Sequence, residues 1–194
     1  MMAEQIEIEL KTLLTFEEYT RCIAFWQLAD QKALLQANYY FDTADFQLKA
    51  KGCGLRIRTL SNQAELTLKT PLANGLLETT DTFSLTEIKP YLDSQTLPTT
   101  GSVAEKLRTL NIDISQLKLL ASLTTKRYHI QLAYGEVALD ESWYQKQHDY
   151  ELELEVADFK QGQSDFKQLC QQLAIKYKPA QNKIARAFKA YGLS

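Results

Sequence analysis

Alternation of apolar and polar residues with a period of two recurs along most of this chain, and no other feature limits its fold so sharply. Side chains at i and i+2 of a strand share one face, so this pattern marks half-buried strands. It runs through residues 5–12 (Glu7, Ile8, Glu9, Leu10, Lys11), 55–60 (Leu55, Arg56, Ile57, Arg58), 65–70 (Glu65, Leu66, Thr67, Leu68, Lys69) and 150–156. Residues 37–42 are aromatic and strand-like, and Asn74-Gly75, the strongest short hairpin signal, leads into a strand over 76–83. Residues 118–133 form one long strand or two joined by a bulge, and Tyr134-Gly135 turns them into a strand over 136–143. Ser61-Asn62 is a further turn candidate. Eight or nine sequential strands with short hairpins predict an antiparallel sandwich or barrel.

Helical patterns fill the gaps. Thr15 with Glu18 forms a capping box, and Leu14 and Tyr19 suit a hydrophobic staple around it. Phe16, Tyr19, Ile23 and Trp26 then recur at helical spacing. Ser84 with Glu87 and Ser102 with Glu105 repeat the capping signature. Asp165 with Gln168 predicts a helix reaching about Ala174, and residues 182–191 a last one after Pro179. With 194 residues and no linker, the chain is expected to form one domain over 1–194.

A formal net charge of −2 argues against broad binding to nucleic acid or anionic membranes, so any bound anion must meet locally arranged cations. Cys22, Cys53 and Cys170 have no zinc or disulfide spacing. Glu4, Glu7 and Glu9 rule out an apolar signal core at the start, and no apolar run approaches about 18 residues, so a cytoplasmic location is expected. Trp26 and Trp143 read as packing residues, and His129 and His148 as ordinary strand histidines.

The polar strand faces carry the functional signal. Glu7, Glu9 and Lys11 share one face, as do Arg56 and Arg58, Glu65 and Lys69, and Glu151, Glu153 and Glu155. The plain reading turns these faces to water. Segregation by sign argues otherwise, because like charges aligned along a strand repel unless a counter-ion sits between them. Carboxylate rows suit magnesium or manganese, and arginine and lysine rows suit a polyphosphate. A barrel would gather both around one lumen.

In this order the motifs resemble the CYTH domain proteins, or triphosphate tunnel metalloenzymes, which include inorganic, thiamine and RNA triphosphatases and a class of adenylate cyclase. Glu7-Ile8-Glu9-Leu10-Lys11 is similar to the family's Glu-x-Glu-x-Lys strand. Tyr39-Tyr40-Phe41-Asp42-Thr43, Leu55-Arg56-Ile57-Arg58, Leu66-Thr67-Leu68-Lys69, Lys126-Arg127, Leu139-Asp140, Tyr150-Glu151-Leu152-Glu153 and Asn182-Lys183-Ile184 resemble its later motifs. The resemblance implies a mainly antiparallel β fold with flanking helices, closed as an eight-stranded β-barrel. It implies magnesium or manganese on Glu7, Glu9, Asp140, Glu151 and Glu153. Phosphates would bind Lys11, Arg56, Arg58, Lys69, Arg127 and Lys183, with Lys11, Glu9 and Arg56 closest to the chemistry. Glu78 is a further candidate for the lumen. Glu155 lies about 7 Å past Glu153 along the strand and is expected to fall outside the metal's first shell. The implied activity is hydrolysis of inorganic triphosphate or a small organic triphosphate. Two alternatives stand beside it: adenylate cyclisation on the same fold, and a non-catalytic polyphosphate- or nucleotide-binding module. An ordinary interaction barrel would carry these charges outside.

Overall fold

Each segment predicted from alternation is a strand in the computed structural model, which describes residues 3–193. The strands are β1 (Ala3–Glu7), β2 (Glu9–Leu14), β3 (Leu34–Asp42), β4 (Gly54–Thr59), β5 (Ala64–Pro71), β6 (Leu76–Phe83), β7 (Lys118–Leu132), β8 (Gly135–Tyr144) and β9 (Gln147–Glu155). The helices are α1 (Phe16–Phe25), α2 (Gln47–Ala50), α3 (Leu85–Ser94), α4 (Ser102–Thr109), α5 (Phe159–Gln172) and α6 (Lys183–Ala190).

All strands join one antiparallel sheet in the order β1-β6-β5-β4-β3-β7-β8-β9-β2. The sheet is a curled nine-stranded structure, which corrects the expected eight-stranded closed barrel. The extra strand arises because the first alternating segment changes partner midway. Residues up to Glu7 pair with β6 and those from Glu9 pair with β9. Between them the Ile8 carbonyl accepts the Val156 N–H at 2.9 Å. Alternation continues through this break, so the sequence pattern does not register it. The two ends of the sheet are therefore consecutive in the chain, one residue apart. β7 is a single strand, and the predicted irregularity falls in its pairing with β3, where the register shifts between Tyr40 and Phe41. At Asn74-Gly75 the glycine has φ of 102° and a Cβ would lie 2.3 Å from the Glu7 carbonyl oxygen, so only glycine fits.

The helices cover the apolar face of the strands. Thr15–Glu18 and Ser84–Glu87 form capping boxes, and Asn182 caps α6. The predicted Ser102–Glu105 box does not form. Gly101 is the cap of α4, and the Asp81 carboxylate accepts the Ser102 and Val103 N–H groups, each at 2.9 Å. A long-range acceptor replaces the local one. α5 starts earlier than Asp165 predicts, because Asp158 accepts the Gln161 N–H at 2.7 Å. Gly162 then lies inside the helix against β9's end, where a Cβ would stand 2.6 Å from a Val156 methyl. Gly162→Ala is expected to destabilise the fold by about 1–3 kcal/mol through overpacking, read as a lower chemical-denaturation midpoint. α2 has no helical period of its own. Buried Asp42 holds it by accepting N–H groups of Thr43, Leu48 and Lys49.

Packing decides which face looks inward. Leu139, Leu152 and Leu154 pack with Phe166 and Leu169 of α5 and Tyr19 of α1. Leu55, Ile57, Leu66 and Leu68 pack with Ile88 of α3 and Val103 and Leu107 of α4. Ala187 and Phe188 of α6 close over Tyr40 and Ala121. The charged rows thus turn to the concave side, away from solvent: Asp140 and Glu151 are 0% exposed and Glu153 6%.

Candidate active site

A cavity of about 420 Å³ occupies the concave side of the sheet. Lys11, Arg56, Arg58, Lys69, Arg127 and Lys183 all line it. So do Glu7, Glu9 and Glu153. Asp140 and Glu151 do not, and stand behind the wall. Glu78, Glu136, Glu155 and His129 join the lining. Among the described residues the cavity thus holds six cations and six carboxylates, and the useful question is which of them pair.

Lys69, on β5, pairs with Glu7 and with its cross-strand neighbour Glu78 at 2.7 Å. Arg56 reaches Glu78 only at 3.9 Å, and its Nε has no partner. Arg58 has no carboxylate at ion-pair distance among the described residues. Its Nε donates to Asn38 Oδ1 at 3.0 Å. Burial, Arg56 and Arg127 push the Arg58 guanidinium down to about 9. Two neighbouring half-buried arginines, one with a single distant carboxylate and one with none at ion-pair distance, form a cationic face.

A second cluster is internally neutral. Arg127 makes a bidentate contact to Asp140 at 2.7 and 2.6 Å and also reaches Glu153. Its neighbour Lys126 points the other way, toward Glu141. The Lys183 ammonium lies 2.8 Å from Asp140 and 2.7 Å from Glu151, and also contacts Glu153. Arg186, which sequence reading missed, grips Glu151 through both terminal nitrogens at 3.2 and 2.7 Å. A signal was present: Arg186 is three residues after Lys183 and so shares its helix face. Burial works against each of these charges, but the opposite charges outweigh it. They hold Asp140 and Glu153 low and Arg127, Lys183 and Arg186 high. Oxygens of Asp140, Glu151 and Glu153 lie within 4.8 Å of one another, as a cation site requires, but the Lys183 ammonium already pairs with all three groups.

The remaining carboxylates form an acidic face, and the register brings Glu155 into it. In the β2–β9 register Glu9 is directly opposite Glu155, Lys11 opposite Glu153, and Leu13 opposite Glu151. Glu155 is also opposite Glu136 on β8. Distance along β9 places Glu155 past Glu153, but the stagger between strands raises β2 to meet it. Burial and then Glu153 push the Glu9 carboxyl up, although Lys11 lies 2.6 Å away. Burial, Glu7, Glu136 and Glu78 push Glu155 up, and among the described residues it has no cation at ion-pair distance. His129 contacts Glu136 at 2.6 Å, so it belongs to this face rather than to plain strand surface. Crowded carboxylates whose charge is disfavoured fit a hard divalent cation by donor chemistry.

An antiparallel sheet thus curls around separate cationic and acidic faces. The CYTH domain model matches residues 5–188. A Bacillus subtilis (strain 168) protein named "Putative triphosphatase YjbK" is 38% identical over 188 residues, covering 97% of both chains. A Bacillus halodurans crystal structure described as a "putative adenylate cyclase" superposes with a TM-score of 0.89 at 40% identity, covering 94% of this chain and 97% of that one. A Hippeastrum protein with a dominant triphosphatase activity shares the fold, with a TM-score of 0.70 at 21% identity over 93% of this chain and 94% of that one. The chain belongs to the CYTH family. Among the described residues, no helix is long and apolar enough to cross a membrane.

Proposed function

We propose that this chain hydrolyses a small triphosphate with magnesium or manganese, releasing orthophosphate. The observation that supports this most is the separation of charge within one cavity. Arg56 and Arg58 lack carboxylate partners at close range on one face; on another, Glu9 is crowded by Glu153 and Glu7, and Glu155 by Glu7, Glu136 and Glu78. A metal–triphosphate complex is complementary to both faces at once. A bare polyanion would meet repulsion from the acids, which disfavours a non-catalytic binding module. Charges facing the cavity likewise disfavour an interaction barrel.

In this reading the segment 3–14 works as one interrupted strand that closes the sheet into a tunnel. Glu7, Glu9, Glu153 and Glu155 hold the cation. When bound, that cation neutralises phosphate charge and lowers the pKa of water. Arg56, Arg58 and Lys69 bind and orient phosphoryl oxygens. Lys11 lies between the faces, opposite Glu153 and bonded to Glu9, and keeps those carboxylates aligned. Arg127 and Lys183 supply positive charge from the opposite wall.

Excess chelator is expected to abolish phosphate release from tripolyphosphate, and added magnesium or manganese to restore it; full activity in chelator would exclude the reading. Cyclisation of ATP is the second reading, favoured by the Bacillus halodurans likeness. Tripolyphosphate and ATP assayed side by side, for orthophosphate and for cyclic AMP, separate the two.

The acidic face also predicts a pH dependence. Glu9 and Glu155 hold protons more tightly in the folded protein than in the unfolded chain. Without metal, stability therefore falls as pH rises from the ordinary carboxylate range through their raised values. A cation binding the ionised forms stabilises most above that window. Magnesium is expected to raise Tm more at about pH 7.5 than at about pH 5. Equal shifts would remove these carboxylates from the metal site.

A further inference from the structure

We propose that Glu151 and Arg186 are a positioning pair that sets how freely Lys183 can turn to phosphate, and that neither touches metal or substrate. This inference rests on the proposed triphosphate site and assigns roles within it. It moves Glu151 away from the ligand role implied by family resemblance.

The geometry carries the proposal. Glu151 is fully buried and does not line the cavity, and Arg186 does not line it either. Arg186 holds both oxygens of Glu151, at 3.2 and 2.7 Å, and its Nε lies 3.0 Å from Asp149. The guanidinium is thereby held on Glu151, while its Nε faces Asp149 without a hydrogen bond. Lys183, one turn earlier on α6, does line the cavity; its ammonium bonds to Glu151 and Glu153 and forms an ion pair with Asp140.

An ammonium has three donors; here two bond to Glu151 and Glu153, and Asp140 lies 2.8 Å away as a third ion-pair partner. To meet a phosphate oxygen, Lys183 must release one of them. Asp140 and Glu153 keep Arg127 when Lys183 moves, and Glu151 keeps Arg186. Arg186 is therefore what allows Glu151 to give up the ammonium without becoming a bare buried charge, which would be costly. Without Arg186, Glu151 has Lys183 as its sole close cation and holds its ammonium more tightly.

Four proteins test this: wild type, Arg186→Gln, Glu151→Gln, and the double variant. Arg186→Gln is expected to raise KM for tripolyphosphate by about tenfold or more, equivalent to about 1.4 kcal/mol. Its magnesium activation midpoint should move by less than about threefold. Glu151→Gln should remain within about threefold of wild type in KM and magnesium midpoint, because it removes the group that pins Lys183. The double variant should recover most of the Arg186→Gln loss, because no uncompensated carboxylate remains. If Arg186 binds phosphate directly, the double variant stays as impaired as Arg186→Gln. If Glu151 ligates metal, Glu151→Gln raises the magnesium midpoint by about tenfold or more. Either result overturns the proposal. Should Arg186→Gln fail to fold, the neutral double variant still decides between these cases. Calorimetric binding of tripolyphosphate in chelator repeats the test without turnover. A wild type that binds but does not hydrolyse sinks the proposed reaction and leaves this pair to be judged on binding; a wild type that does neither sinks both.

Discussion

Arg58→Ala lowers kcat/KM for the triphosphate by about 10- to 100-fold, while the metal-free protein keeps or gains thermal stability. The first half follows from the loss of a charge-assisted contact, about 1.5–3 kcal/mol. The second half follows from its surroundings. Burial, Arg56 and Arg127 depress the Arg58 guanidinium to about 9, so the folded protein disfavours its charge relative to the unfolded chain. Deleting that charge removes a penalty at neutral pH, offset by the lost packing of the side chain. Arg127→Ala should behave in the opposite way. Arg127 neutralises Asp140 and Glu153, which are 0% and 6% exposed, and its removal leaves buried acid with too little cation. A destabilisation of about 3–5 kcal/mol is expected from breaking such a pair on one side. Thermal denaturation of both variants without metal reads the contrast. If Arg58→Ala melts well below wild type and Arg127→Ala does not, the two arginines have been assigned to the wrong faces.

What was legible in the sequence was the face of each side chain, because a period of two fixes inside and outside without reference to other strands. Arg56, Arg58, Lys69 and Glu153 all reach the cavity for this reason. Height along the curled sheet was not legible, since it depends on stagger between partners distant in the chain. Glu151 and Glu155 share a face by period, yet one is sealed behind Lys183 and Arg186 and the other faces Glu9. The same limit hid the break at Ile8, where alternation continues but the pairing partner changes. It also hid the cap of α4, because Asp81 reaches it from β6. Local caps such as Thr15 and Ser84 were readable because both partners lie within three residues.

Glu9→Gln and Glu155→Gln are each expected to lower metal-dependent turnover by about 100-fold or more, with the fold intact. The loss of one preorganised charge at a reacting centre costs about that much. The two residues are direct cross-strand partners, so their Cβ atoms lie about 4.5–5.5 Å apart. Two carboxylates so placed would both be able to hold a hard divalent cation such as magnesium, which takes oxygen ligands. Measured from Glu153 along β9, Glu155 is about 7 Å away and looks dispensable. Measured across the ladder, it is the residue directly opposite Glu9. Glutamine keeps the shape of each side chain and removes the charge, so metal affinity should fall: the magnesium midpoint for activity should rise along with the loss of rate. Without metal, both variants should melt slightly above wild type, because each relieves repulsion within the acidic face. The decisive comparison is between the two. If Glu155→Gln keeps a third or so of the wild-type rate while Glu9→Gln is inactive, distance along the strand outweighs the ladder. The cation would then sit at the level of Glu153, and the acidic mouth formed by Glu136 and Glu155 would lie outside the metal site.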